Sequence, residues 1–173
     1  MSVTEDKVSV ILPAFNAENT IETTIESIYS QDYKNLEIIA IDDASQDNTL
    51  NILKKHNNES KFKLISNNVN IGSALSRNKA IIESTGRYIA FIDSDDIWYP
   101  KKISKQINYM EEKRCPLSCT GYARYVNDIY DKIIVPPNFI DYKSTLISNH
   151  IGLSTAIVDF GKTGKKYFRS IRS

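Results

Sequence analysis

A chain of 173 residues has room for one domain with a real buried core, and 41% hydrophobic with 25% charged residues is the balance of a soluble globular protein. Its 22 basic and 21 acidic side chains leave a net charge of +1, which excludes a general electrostatic attraction to nucleic acid or anionic membrane; any phosphate affinity must be local. No run of about 18 apolar residues is present, and the polar start Met1–Lys7 lacks the basic and apolar regions of a signal peptide, so no membrane span is expected and the cytosol is the expected compartment. Cys115 and Cys119 have no second cysteine pair and no nearby histidine, so they read as small buried residues rather than a disulfide or a zinc site.

In chain order, Val8 to Leu12 is an apolar run closed by Pro13, and Asn16-Ala17 turns the chain. Thr20 to Tyr29 follows with Ile21, Ile25 and Ile28 at helical spacing. Leu36 to Ile41 is a second apolar run ended by Asp42-Asp43. Ser45 is placed to cap a helix through about His56, with Asp47 in its first turn. Phe62 to Ile65 is a third strand, 67–72 a turn, and Ser73 to Ser84 a helix ended by Gly86. Tyr88 to Ile92 is the fourth strand, and Pro100 opens a helix to about Lys113. Beyond Cys115, strands are expected over Leu117 to Val126 and Ile129 to Val135, around the turn Asn127-Asp128. Pro136-Pro137 is a break, Asp141 to Ile147 a short helix, and Gly152 to Val158 a last strand before the basic tail from Gly161 to Ser173. Alternating strands and helices predict an α/β fold with a mostly parallel sheet covered on both faces. Ligands of such sheets gather beyond the C-terminal strand ends, where Pro13, Asp42-Asp43 and Asp93 to Asp96 all fall.

Asp93-Ser94-Asp95-Asp96 follows Ile89-Ala90-Phe91-Ile92, so three carboxylates crowd the mouth of the sheet. Their mutual repulsion is relieved by solvent or by a cation, and magnesium takes one or two protein carboxylates together with phosphate oxygens. The motif alone reads equally as a solvated turn that caps the helix starting near Pro100. Asp42-Asp43 reads equally as a helix start or as a carboxylate that accepts a base N–H. Arg77 reads as a surface ion pair or as a guanidinium reaching base or phosphate oxygens, with Asn78 anchoring the loop. Pro13-Ala14-Phe15-Asn16 is a strand-to-helix turn or the frame of a nucleoside, with Phe15 as an apolar wall. His56 is expected exposed at a helix end; His150 alone carries little. Trp98 and Tyr99 line a sugar pocket or, more commonly for aromatics, the core.

Together these segments resemble the family 2 inverting glycosyltransferases with the GT-A nucleotide-diphospho-sugar fold, a Rossmann-like α/β/α sandwich. The matching stretches are 8–16, 41–49, 70–78 and 86–96, four motifs in family order across about the first 110 residues. The resemblance implies a single glycosyltransferase domain, with residues 7–113 binding the nucleotide-sugar and 114–173 beginning the acceptor side. It implies that Pro13, Ala14, Phe15 and Asn16 lie along the nucleoside pocket, Asp43 contacts the base and Arg77 stands near the nucleotide. Asp93 would hold the ribose or a metal-bound water, with Ser94 beside it, and Asp95 with Asp93 would ligate Mg²⁺ or Mn²⁺; Asp96 is more peripheral. The donor implied is a nucleotide-sugar, usually a UDP-sugar. The acceptor is a glycan or lipid-linked glycan of cell-surface polysaccharide assembly, which admits peripheral association with the inner membrane face. In similar proteins a later acidic residue, often in a Glu-Asp pair after a segment like Tyr167–Ser173, is the general base. This chain stops where the pair is expected, so the base is expected beyond Ser173, and neither Asp141 nor Asp159 has its context.

Three rivals stand beside this reading. The first is a nucleotide-sugar-binding fragment without catalysis, favoured by the missing base. A haloacid dehalogenase-like phosphatase would place its Asp-x-Asp after the first strand, with Thr or Val where Ile97 stands; here three strand patterns come first. A receiver-like domain would leave the first strand-helix unit unexplained.

Overall fold

The computed structural model describes residues 6–57, 59–126, 129–140 and 151–169. Strands β1 (Val8–Ala14), β2 (Leu36–Asp42), β3 (Phe62–Ser66) and β4 (Tyr88–Phe91) alternate with helices α1 (Ile21–Tyr29), α2 (Thr49–His56) and α3 (Ser73–Glu83). Helix α4 (Lys102–Lys113) follows. Then come β5 (Leu117–Ser118), β6 (Tyr122–Val126), β7 (Ile129–Ile134), a 3₁₀ turn (Leu153–Thr155), β8 (Ile157–Asp159) and the one-turn α5 (Phe160–Thr163). The main sheet runs β3-β2-β1-β4-β8-β5. Its first four strands are parallel, and β8 lies antiparallel to both β4 and β5. This is the mostly parallel α/β sandwich expected from the sequence.

All seven residues of β1 are buried, because strands flank it and helices cover both of its faces. Val8, Val10 and Leu12 point to the face packed by Ile21, Ile25 and Ile28 of α1 and by Ile103, Ile107 and Met110 of α4. Ile11, Ile39, Ile41 and Ile89 point to the other face, under Ala80 and Ile81 of α3. Each fully buried isoleucine contributes about 2 kcal/mol relative to exposure, so these two layers hold the sheet. The chain enters β4 through Gly86, where a Cβ would lie 2.7 Å from Lys7 O and Ser9 N; no other residue fits that approach without shifting the backbone.

Boundaries differ from expectation where side chains compete with the backbone. β1 runs on through Pro13 to Ala14: pairing with β4 ends at Ile11, so the missing proline N–H falls where one side of the ladder is already open. α2 begins at Thr49, because Asp47, not Ser45, meets its first turn: Asp47 Oδ1 accepts from Thr49 N at 2.9 Å and from its hydroxyl at 2.5 Å. The strand expected over Leu117 to Val126 is two strands, β5 in the main sheet and β6 in a separate hairpin with β7. Gly152 to Val158 divides into the 3₁₀ turn and β8. Cys115 and Cys119 are free and only half-buried, and His56 is packed rather than exposed, its ring 5.6 Å from that of Phe62. Trp98 is core, 5% exposed, whereas Tyr99 is exposed. The helix expected over Asp141 to Ile147, and His150, lie outside the described residues.

Candidate functional site

Parallel register brings the ends of β1, β2 and β3 to one edge: Ala14 lies beside Asp42, and Asp42 beside Ser66. β4 ends on the same edge and delivers Asp93 to Asp96. The loops after β1 and β2 are tied to each other. Asn16 N donates to Ser45 Oγ at 3.1 Å, and Asn16 Oδ1 accepts from Gln46 N at 2.8 Å. Asn16 takes a positive φ of 50°, which its short polar side chain tolerates. These loops and the β3–α3 loop enclose a cleft of about 550 Å³, lined by Phe15, Asp42, Ser45, Leu50 and residues 67–70. Phe15 is 46% exposed and lines one side of it; Pro13 and Ala14 are buried beneath.

The two aspartates at the end of β2 are both buried but differ in their partners. Asp43 Oδ1 accepts from Asn67 Nδ2 at 2.7 Å and from Ile71 N at 3.0 Å; Oδ2 accepts from Gly72 N at 2.8 Å. Asp43 thereby holds the turn that starts α3, where Gly72 sits at φ 86°. Burial works to raise the Asp43 carboxyl, but the donors on Ile71, Asn67 and Gly72 outweigh it and hold the group below the usual range. Asp42 Oδ1 is buried with no hydrogen-bond partner among the described residues, on the cleft wall. An orphaned carboxylate oxygen is costly unless something donates to it.

The backbone of the Asp93–Asp96 turn is braced from α1 and from the 3₁₀ turn. Thr24 Oγ1 of α1 donates to Ser94 O at 3.0 Å, and Asp93 N donates to Ser154 Oγ at 3.0 Å. Trp98 Nε1 donates to Ser154 O at 2.8 Å, and Trp98 N to Ser27 Oγ at 3.2 Å. The backbone is fixed while the carboxylates are left outward: Asp95 and Asp96 are exposed and the Asp93 side chain is 40% exposed. Desolvation raises the Asp96 carboxyl above its ordinary value; a Ser154 hydrogen bond opposes this, and Asp95 and Asp93 add to it. Arg77, only 11% exposed, reaches from α3 to pair with Asp93 Oδ1.

Among the described residues no group of three or more His, Cys, Asp or Glu side chains could hold a metal unaided. The exposed, mutually repelling oxygens of Asp93 and Asp95 nevertheless fit a hard cation that draws its remaining ligands from phosphate and water. Asp159, one of the two later carboxylates weighed for the base, is fully buried beside the start of β4, away from this edge. Arg87 grips it with two hydrogen bonds, Nε at 3.1 Å and Nη2 at 2.7 Å. Asp141 lies outside the described residues. Sequence reasoning missed Thr24, Asn67 and Ser154. Each is a small polar residue that acts through hydrogen bonds across 24 or more positions, which leaves no periodic signal.

The family model "Glycosyl transferase family 2" matches residues 9–161. The putative teichuronic acid biosynthesis glycosyltransferase TuaG of Bacillus subtilis is 37% identical, across 96% of this chain and 67% of its own length. An Escherichia coli enzyme, the UDP-Glc:alpha-D-GlcNAc-diphosphoundecaprenol beta-1,3-glucosyltransferase WfaP, is 42% identical across 92% of this chain and 62% of its own. The chain thus spans roughly two thirds of these relatives. Among solved structures, S. aureus TarS 1–349 in complex with UDP superposes with a TM-score of 0.75 and 24% identity, across 94% of this chain and 50% of that one. That likeness establishes a shared GT-A fold. With four ordered motifs, a matching sheet and a family model over most of its length, the chain belongs to glycosyl transferase family 2.

Proposed function

We propose that the cleft at the ends of β1, β2 and β3 binds the nucleoside of a UDP-sugar, and that Asp95 with Asp93 binds Mg²⁺ or Mn²⁺ beside its diphosphate. One observation carries this reading. A cleft with an aromatic wall and a buried Asp42 oxygen that has no partner among the described residues opens on the same edge as an exposed carboxylate cluster, giving acceptors for a base and a seat for a cation. Phe15 packs against the nucleoside, with Pro13, Ala14 and Asn16 shaping the turn beneath. Asp43 accepts the base N–H at a remaining lone pair of its carboxylate, whose Oδ2 takes Gly72 N from the protein. Asp42 offers a second acceptor. Arg77 holds Asp93 and stands near the nucleotide, and Ser94 keeps the turn in register.

The cation, when bound, neutralises charge that builds on the leaving diphosphate. The residues themselves bind and orient: the braced backbone of Asp93 and Ser94 fixes the carboxylates before the donor arrives. The whole protein transfers the sugar, with inversion, to a glycan or lipid-linked acceptor of surface-polysaccharide synthesis at the cytoplasmic side, in peripheral contact with the membrane. The names of the two relatives support this acceptor class. Asp159 is committed to Arg87 and is not assigned as the base. This favours the second reading, a donor-binding unit that does not transfer by itself.

Calorimetry of UDP with the chain, in Mn²⁺ and in EDTA, tests the site. Binding in Mn²⁺ and its loss in EDTA are expected; equal binding in both, or none, rejects the metal assignment. Hydrolysis of phosphate esters without UDP binding would favour the phosphatase rival.

A further inference from the structure

Residues 164–169 run back over α3 and are fastened to it at both ends. Gly164, at φ 67°, turns the chain out of α5. Lys165 Nζ donates to Ile81 O, Ile82 O and Ser84 O, each at 3.1 Å, and so draws together the carbonyls at the C-terminal end of α3. Three residues on, the Asn78 side chain pairs with the Phe168 backbone like a neighbouring strand. Its Nδ2 donates to Phe168 O at 2.8 Å and its Oδ1 accepts from Phe168 N at 2.7 Å. These two bonds join positions 90 residues apart.

The clamp places one aromatic ring. Phe168 meets Phe91 edge to face at 5.5 Å, and Arg77 Cζ lies 5.7 Å from the Phe168 ring centre. The Nε of Arg77 is buried with no hydrogen-bond acceptor among the described residues, so that edge of the guanidinium is not fixed by a polar partner. What bounds it is the ring, while Nη2 pairs with Asp93. A planar cation against an aromatic ring loses rotational freedom without losing charge. Asp93 therefore takes its backbone support from Ser154 and its side-chain support, through Arg77, from Phe168. Both supports come from the part of the chain after residue 150.

We propose that residues 164–169 are a positioning strap, in which Asn78 seats Phe168 and Phe168 aims Arg77 at Asp93. The later part of the chain thereby sets the geometry of the donor-site carboxylate. The consequence for donor binding rests on the proposed metal and nucleotide site; the positioning of Arg77 does not.

The test uses the 173-residue chain and two readouts. Nitrogen-15 NMR of the Arg77 guanidinium without ligand reports rotation about its Cζ–Nε bond. Slow rotation is expected in the parent and fast averaging in Asn78→Ala and in Phe168→Leu, a change that keeps an apolar side chain against Phe91. Calorimetry of UDP in Mn²⁺ should show each substitution weakening binding about tenfold. In an Arg77→Ala background, Phe168→Leu should change affinity by less than about twofold. An unchanged Arg77 signal in Phe168→Leu overturns the strap. So does an equal affinity loss with and without Arg77, the mark of a merely structural role. If the parent binds no UDP in Mn²⁺, the donor site falls, and the strap is judged on the guanidinium signal alone.

Discussion

Two acidic segments end the two strands that flank β1 in one sheet and are put to opposite use. At the end of β2, Asp43 is buried and accepts three hydrogen bonds from the protein. At the end of β4, the carboxylates of Asp95 and Asp96 face outward from a turn whose backbone is tied to α1 and Ser154. The difference lies in which atoms the protein satisfies: the Asp43 carboxylate oxygens at the first segment, the main-chain atoms of Asp93 and Ser94 at the second. A carboxylate held by amides shapes the site. One left bare is free to take a cation.

Breaking the first segment should cost the most. Asp43→Ala strands two backbone N–H groups and the Asn67 amide in a buried turn, so a loss of roughly 3 kcal/mol of stability is expected in urea unfolding. Asp95→Ala should do the reverse: an unchanged melting temperature, and at least about tenfold weaker Mn²⁺-dependent UDP affinity by calorimetry. A folding defect in Asp95→Ala with normal UDP binding would erase the distinction between the segments.

Acid should separate them next. The Asp43 carboxyl is depressed in the folded protein, so its contribution is full above its unfolded value, about 3.9, and is lost as pH falls through the folded one. Asp159 and Glu37 are depressed too, Asp159 by Arg87 and Glu37 by Ser9 and Thr85, each against the opposing pull of burial, and they share the acid slope. Asp43→Asn should therefore flatten the fall in stability between about pH 5 and pH 2 without abolishing it. Melting temperatures across that range check this.

Much of this frame was legible in the sequence. The alternation of apolar strands and amphipathic helices through Lys113 carries the parallel sheet, because both faces of each strand are buried by local patterns. Pro13, Asp42-Asp43 and Asp93 to Asp96 fall on one edge by the rule for strand ends alone. What escaped was long-range. Leu117 to Val126 reads as one strand, yet its first residues join β8 while Tyr122 onward pairs with β7, a choice made by partners far along the chain. The internal partners of Asp43 escaped for the same reason. Asn67 and the Ile71-Gly72 amides become neighbours only once β3 pairs with β2.

The smallest expected effect sharpens the contrast furthest. The Asp96 carboxyl is raised, first by desolvation and then by Asp95 and Asp93. A raised carboxyl adds stability only at low pH, where it is protonated in both states, and that advantage is lost as pH rises through its folded value. At neutral pH the Asp93–Asp96 turn therefore carries a small standing cost. Asp96→Asn removes one charge and keeps the shape, so the melting temperature should rise slightly at pH 7, by no more than about 0.5 kcal/mol in stability for so exposed a residue. Near pH 3 the gain should vanish. Mn²⁺ should stabilise the parent more than Asp96→Asn if the cation answers this repulsion. A melting-temperature series in pH and Mn²⁺ reads all three, and a loss of stability in Asp96→Asn at pH 7 would show that the turn needs the charge that the cation is proposed to balance.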